Sequence, residues 1–221
     1  MKANLGSRKS VRLQWFEQEK VPFSLKYSLG HSYYSTTVMT NELRPQIFQQ
    51  YVFSGLETPI PSTNIILFEE GLPQSYLKTT GSIGKKFSTL ETVSSDLTVI
   101  DRIIKVDQGD EKITKKPVSP HEANKYKELQ IHERQDKISR KITIKNETIR
   151  PIKELEVTFI ENKEIRFLKS NPPAHESDPP EYTWKLEIPA EESVIIELTI
   201  EYYFKHVYKI EKEEKKTRFP A

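Results

Sequence analysis

Apolar and polar positions alternate along much of the chain with a period of two, the repeat that puts successive side chains on opposite faces of a strand. The cleanest run is Val194, Ile196, Leu198, Ile200, Tyr202 and Phe204, interleaved with Ile195, Glu197, Thr199, Glu201, Tyr203 and Lys205. One face of that run is wholly apolar and the other mostly polar, which predicts a strand covering a core on one side. Ile142 and Ile144 alternate with Lys141, Thr143 and Lys145. Leu155, Val157 and Phe159 alternate with Glu154, Glu156 and Thr158, and Trp184, Leu186 and Ile188 with Thr183, Lys185 and Glu187. Four amphipathic strands this close together predict half of a β-sandwich, with Trp184 and the Val194–Phe204 strand in its core.

The first half is strand-like with a less regular pattern. Val11, Leu13 and Trp15–Phe16 form one candidate, and Phe23, Leu25, Tyr27 and Leu29 another. Tyr33 to Thr40 is rich in β-branched and aromatic residues, which favour a pleated, half-buried surface. Further strands are expected over Ile47–Ser54, Asn64–Glu69, Phe87–Thr92 and Leu97–Val106. Turn chemistry separates them at Glu70–Gly71, Gly81–Gly84 and Gln108–Asp110. Fourteen Pro against seven Gly suit strand ends and edges better than helix interiors.

Pro120 to Gln135 reads in two ways: a helix started by Ser119 or Pro120, or a charged linker followed by a strand from near Leu129. Gln108 to Lys125 has little apolar content and supplies the expected domain boundary. Ser170 to Glu181, with Pro172–Pro173 and Pro179–Pro180, predicts an irregular loop. The expected fold is all-β: two packed antiparallel β-sandwich-like parts with at most one short helix. The parts are an N-terminal β part over 1–110, a polar linker over 111–125, an immunoglobulin-like C-terminal sandwich over 126–208 and a charged tail over 209–221.

Composition narrows the chemistry. With no Cys, the chain has no disulfide framework, no thiolate catalysis and no Cys-ligated zinc or iron–sulfur cluster. The formal net charge of +2 lacks the strong overall field of a dedicated nucleic-acid binder, and no nucleic-acid partner is expected. No stretch of about eighteen apolar residues is present, so no membrane span is expected. Met1 to Phe16 holds no apolar run of signal-peptide length, which leads to a cytoplasmic expectation. Residues 1–110 carry 12 basic and 11 acidic side chains and residues 111–221 carry 22 and 21, so charge density nearly doubles in the second half with mixed sign. That density describes a solvated coat rather than a patch for one partner. Plentiful Lys, Glu and Ile without Cys also suits a thermophilic source.

Four blocks resemble a known family. They are Tyr51-Val-Phe-Ser-Gly-Leu-Glu-Thr-Pro-Ile, Thr63-Asn-Ile-Ile-Leu-Phe-Glu-Glu-Gly-Leu-Pro, Ser139-Arg-Lys-Ile-Thr-Ile-Lys-Asn-Glu-Thr, and Tyr182-Thr-Trp-Lys-Leu-Glu-Ile-Pro-Ala-Glu-Glu with the strand that follows. Their order over about residues 45–205 is similar to the C-terminal β-sandwich region of mucoidy-inhibitor-A-like proteins, a domain of unknown function. Where that family often has Gly–Val–Asp, this chain reads Val93-Ser-Ser-Asp96, so only the Asp fits. The resemblance implies a fold and carries over no catalytic residue.

Candidate chemistry is sparse. His121–Glu122, His132–Glu133 and His175–Glu176 are His–Glu pairs, but the His-x-x-x-His spacing of a zinc-protease helix is absent. No Gly-x-Ser-x-Gly nucleophile motif occurs, and Gly81–Lys86 reads as a hairpin turn rather than a phosphate loop. No catalytic residue, metal ligand or cofactor is assigned. Aromatics offer more: neighbours on a strand face opposite sides, so Tyr33, Tyr34 and Tyr203 are candidates for exposed Tyr suited to protein or carbohydrate contact. Asn146-Glu-Thr148 matches a glycosylation sequon. These features favour a non-enzymatic interaction or scaffold module with a protein partner, including a homodimer through strand edges. The alternative is a hydrolase, metal-assisted or not, built from loop His and carboxylates.

Overall fold

The computed structural model of the chain describes residues 17–30, 37–69 and 71–212. Fifteen strands and no helix are found among them, so the all-β expectation holds. The expected strand at Val11–Phe16 and the candidates Tyr33 and Tyr34 lie outside the described residues. Thr37–Thr40 is a turn closed by the Thr40 N–H on the Thr37 carbonyl at 2.8 Å.

The chain divides into two compact units, Met1–Tyr27 with Phe48–Val93, and Ser28–Ile47 with Ser94–Ala221. The chain passes between the units at Tyr27/Ser28, Ile47/Phe48 and Val93/Ser94, and the strand Lys112–Lys116 lies within 111–125.

In the first unit, the early part of β1 (Phe23–Gly30) is followed in sheet order by β3 (Phe48–Phe53), β6 (Lys86–Thr89), β5 (Leu72–Ile83) and β4 (Thr63–Glu69), with β7 (Thr92–Val93) also on β3. Phe53 and Phe87 are registered partners, and their rings stack at 4.4 Å with planes 2° apart. The hydroxyl of buried Thr79 donates to the Ser88 carbonyl at 2.6 Å, and buried Thr89 accepts the Tyr51 N–H at 3.1 Å. These bonds let two polar residues occupy inward positions, since a buried hydroxyl left unpaired is costly. Gly81–Lys86 holds a hairpin: Ile83 pairs with Lys86, and Gly84 takes φ +60°, the left-handed backbone that a tight two-residue turn requires.

The second unit is a sandwich. One sheet runs β12 (Ile165–Asn171), β15 (Ser193–Glu211), β10 (Tyr126–Asn146), β8 (Leu97–Asp107), β2 (Glu42–Leu43), with β9 (Lys112–Lys116) also on β10. The facing layer pairs β11 (Ile152–Ile160) with β14 (Glu181–Ile188), and β14 with β13 (Glu176–Asp178). Ile138, Ile142 and Ile144, with Ile196, Leu198 and Ile200, are fully buried on one layer; Leu155, Val157, Phe159, Trp184 and Ile188 are their counterparts on the other. Each such side chain contributes roughly 1.5–3 kcal/mol through burial. Phe167 of β12 stacks on Tyr182 of β14 at 4.1 Å and lies 6.2 Å from Trp184, joining the layers. The Trp184 indole N–H donates to the Pro172 carbonyl at 3.0 Å, which gives the one polar atom of that ring a partner.

The two readings of Pro120–Gln135 resolve toward strand: 120–125 is a turn and β10 starts at Tyr126. The expected tail also begins as strand, because β15 continues to Glu211. Part of the loop expected over Ser170–Glu181 is β13, which pairs with β14 between cis peptide bonds at Asn171–Pro172 and Pro179–Pro180.

Candidate interaction surfaces

Among the described residues, β4 pairs with β5 alone and is the last strand in its sheet order. Thr63, Ile65 and Leu67 of β4 lie opposite Thr79, Leu77 and Ser75 of β5, and Leu77 and Thr79 are buried. The period-two alternation therefore turns Ile66 and Phe68 to the other face, beside Tyr76, the registered partner of Ile66. Ile66 is 45%, Phe68 62% and Tyr76 77% exposed. Neutral side chains fill the strand from Thr63 to Phe68. Natural edge strands usually carry Lys, Pro or a bulge that discourages pairing. β4 carries no Lys or Pro, and its devices are a bulge-like register shift at Leu67/Phe68 and Glu69 at its end. The signal was legible as the uncharged run Asn64–Phe68, although the aromatic neighbours Phe68 and Tyr76 were not singled out in the sequence.

In the second unit, β9, β10 and β15 run past the packed sandwich as a three-stranded arm. From Asp136 inward β10 alternates buried and open positions, whereas no residue of Tyr126–Gln135, Tyr203–Glu211 or Lys112–Lys116 is buried on either face. Cross-strand side-chain pairs hold the arm together. Glu133 accepts the Tyr203 hydroxyl at 2.7 Å and meets the Lys205 ammonium at 2.7 Å. Lys205, then Tyr203, lowers the Glu133 pKa, and the same carboxylate raises that of Tyr203. Arg134 stands 4.8 Å over the Phe204 ring, His132 meets Glu111 at 3.0 Å, and the rings of His132 and His206 lie 4.7 Å and 4.3 Å from Tyr208. Lys209 pairs with Glu122 and sits 5.4 Å over Tyr126. Exposed pairs of this kind are individually weak, so the arm depends on having many.

Tyr203, the one candidate aromatic within the described residues, is thus half-buried and bonded through its hydroxyl. Its ring lines a polar depression of about 210 Å³ with Gln135, Lys163, Glu164, Arg166 and Glu201. At the root of the arm, Gly109 passes so close to β10 that a Cβ there would lie 2.1 Å from the Gln135 carbonyl oxygen. The Gly109 N–H donates to buried Asp136 at 3.2 Å, and Arg134 meets the same carboxylate at 3.0 Å.

The His–Glu pairs do not converge. His121 is in the turn before β10, His132 is on β10, and His175, before β13, faces the Lys185 N–H at 3.3 Å. Among the described residues no three His, Asp or Glu side chains are grouped to hold a metal ion. The sequon asparagine is fully buried: the Asn146 amide donates to the carbonyls of Arg150 at 2.8 Å and Pro189 at 3.0 Å, and its oxygen accepts the Thr148 N–H at 3.0 Å. Asn146 is a structural clamp, with no free amide for a glycan in the folded protein. No helix among the described residues is long and apolar enough to cross a membrane. Comparison of the chain with family models, curated proteins and solved structures finds no match.

Proposed function

We propose that this protein is a non-enzymatic β-sandwich interaction module that receives an extended segment of a protein partner on the free edge of β4. The observation that carries this reading is an edge strand, neutral from Thr63 to Phe68, whose outward face, Ile66 and Phe68 beside Tyr76, is open and apolar. A segment added antiparallel to β4 would gain main-chain hydrogen bonds, and its alternate apolar side chains would cover Ile66 and Phe68. Exposed apolar patches rimmed by polar surface mark protein contacts. The dispersion of His121, His132 and His175 over separate elements weighs against the hydrolase alternative. The likeness of residues 45–205 to the mucoidy-inhibitor-A-like C-terminal region, and the immunoglobulin-like reading of the second unit, supply a fold precedent without a reaction.

The test is affinity capture from native lysate with the wild type and an Ile66→Lys/Phe68→Lys double variant. Both substitutions fall on exposed positions, so the thermal midpoint should stay within about 2 °C of wild type. Partner recovery should fall at least tenfold. Equal recovery by the two proteins would sink the reading.

A further inference from the structure

The outer edge of β15 is covered only along part of its length. β12 accompanies it as far as Tyr202, which pairs with Ile165, and the Tyr203 N–H donates to the Glu164 carbonyl at 2.7 Å. Beyond that point β15 keeps unbroken register with β10 as far as Ile210. Alternation along the strand therefore turns the main-chain N–H and C=O groups of Lys205, Val207 and Lys209 outward. Among the described residues no strand pairs with that edge. Such a row is a template for another strand.

The residue order identifies which strand. Phe204-Lys-His-Val-Tyr-Lys-Ile210 reads alike by chemical class in both directions about Val207: apolar, Lys, aromatic ring, Val, aromatic ring, Lys, apolar. Two-fold pairing requires this, because residue i meets residue j and j meets i. We propose that β15 pairs antiparallel with β15 of a second copy, with the two-fold axis at Val207.

In that register Phe204 faces Ile210 of the second copy, and His206 faces Tyr208 of the second copy. These are the non-hydrogen-bonded positions, where side chains lie closest. They extend the ring contacts already made between His206 and Tyr208 and between His132 and Tyr208. Lys205 falls opposite Lys209 of the second copy, normally a repulsive arrangement. Each of these lysines brings its own counter-ion, Glu133 for Lys205 and Glu122 for Lys209. The outcome is one continuous sheet, β9-β10-β15 joined to β15-β10-β9. It goes beyond the β4 reading and does not depend on it, since the two edges belong to different units.

The chain has no cysteine, so one introduced thiol reports the axis without interference. At a two-fold axis, Val207→Cys brings two thiols together across a strand pair, at a Cα separation of about 5.5 Å that disulfides span. Ile113→Cys, exposed on β9 away from the axis, is the control. At equal micromolar concentration under mild oxidation, Val207→Cys should form covalent dimer at least tenfold faster than Ile113→Cys. Wild-type protein should show a concentration-dependent monomer–dimer equilibrium by sedimentation. Val207→Pro, which removes an outward N–H and sterically blocks a second strand, should shift that equilibrium to monomer. Wild-type protein that stays monomeric at hundreds of micromolar overturns the proposal, as do equal crosslinking at Ile113→Cys and fastest crosslinking at Tyr208→Cys. If Val207→Pro perturbs the arm itself, the two cysteine variants still decide. Partner capture through Ile66 and Phe68 would survive failure of this dimer, and the dimer would survive failure of that capture.

Discussion

Arg140 Nε donates to Asp101 Oδ1 at 2.8 Å with neither side chain exposed, joining β10 to β8 inside the second unit. The same guanidinium reaches the Val38 carbonyl at 2.7 Å and the Thr40 carbonyl at 3.1 Å, so it also anchors the turn that precedes β2. Removing one partner strands a buried charge, which costs about 3–5 kcal/mol, whereas replacing both with apolar groups is often close to neutral. Arg140→Met should therefore lose about 3–5 kcal/mol in denaturant unfolding followed by Trp fluorescence. Arg140→Met/Asp101→Leu should recover more than half of that loss. A single-variant loss below about 1 kcal/mol would show the pair to be dispensable.

Asn146 offers a sharper chemical substitution. Asn146→Asp keeps the shape and replaces the amide donor with a carboxylate aimed at the Arg150 and Pro189 carbonyls. At pH 7 it should destabilise by about 2–4 kcal/mol, from unpaired buried carbonyls and a desolvated charge. The same chemical denaturation reads it, and a wild-type midpoint would contradict the clamp.

Two glycines make an internally controlled comparison. At Gly109 a Cβ would lie 2.1 Å from the Gln135 oxygen, a backbone atom that cannot swing aside, whereas at Gly30 it would meet nothing within 4 Å. Gly109→Ala should cost about 1–3 kcal/mol and raise amide exchange over residues 129–135, while Gly30→Ala should lie within about 0.5 kcal/mol of wild type. Equal effects at the two sites would remove any special role for the close approach.

The arm should loosen in acid. Lys205 and Tyr203 hold the Glu133 pKa below its ordinary 4.5, and Lys209 does the same for Glu122. A carboxylate lowered on folding stabilises the folded form fully above its unfolded pKa and loses that contribution as the pH falls through the folded value. Exchange protection at residues 130–135 and 203–207 should therefore drop between about pH 5 and pH 3, and less so in high salt, since these groups are exposed. Glu133→Gln should flatten the change. An identical pH response in the variant would assign the loosening elsewhere.

Where a strand packs one face on the core, its alternation was plain in the sequence: Ile196, Leu198 and Ile200, Leu155, Val157 and Phe159, and Trp184 with Ile188 are all buried as expected. The misses have specific causes. β5 was hidden because its inward residues include Thr79, a buried residue satisfied by a hydrogen bond rather than by apolarity. The full length of β10 was hidden by Arg140, a charge on its apolar face, and by an outer half that covers no core at all. β9 carries three Lys in five residues and pairs through its backbone, so polarity made a strand look like a linker. The candidate surfaces followed the same divide. β4 was recognisable as a strand, but its position at the end of the sheet depends on topology, which local pattern does not encode. The palindrome about Val207 is present in the sequence, but only the end of the β12–β15 pairing at Tyr202 leaves that stretch an open edge.

β15 is the last strand among the described residues yet sits inside its sheet, between β12 and β10. Its closest registered pair with β10, Lys145 with Ser193, spans roughly fifty residues of chain, and its most distant, Tyr126 with Glu211, spans more. During synthesis at about 5–20 residues per second, β10 waits for several seconds with one long flank open. β8 and β9 pair along the opposite edge of β10, so neither covers the flank that waits for β15. Its main-chain N–H and C=O groups on that flank are a template for any passing strand, so correct pairing depends on β15 arriving before another chain does.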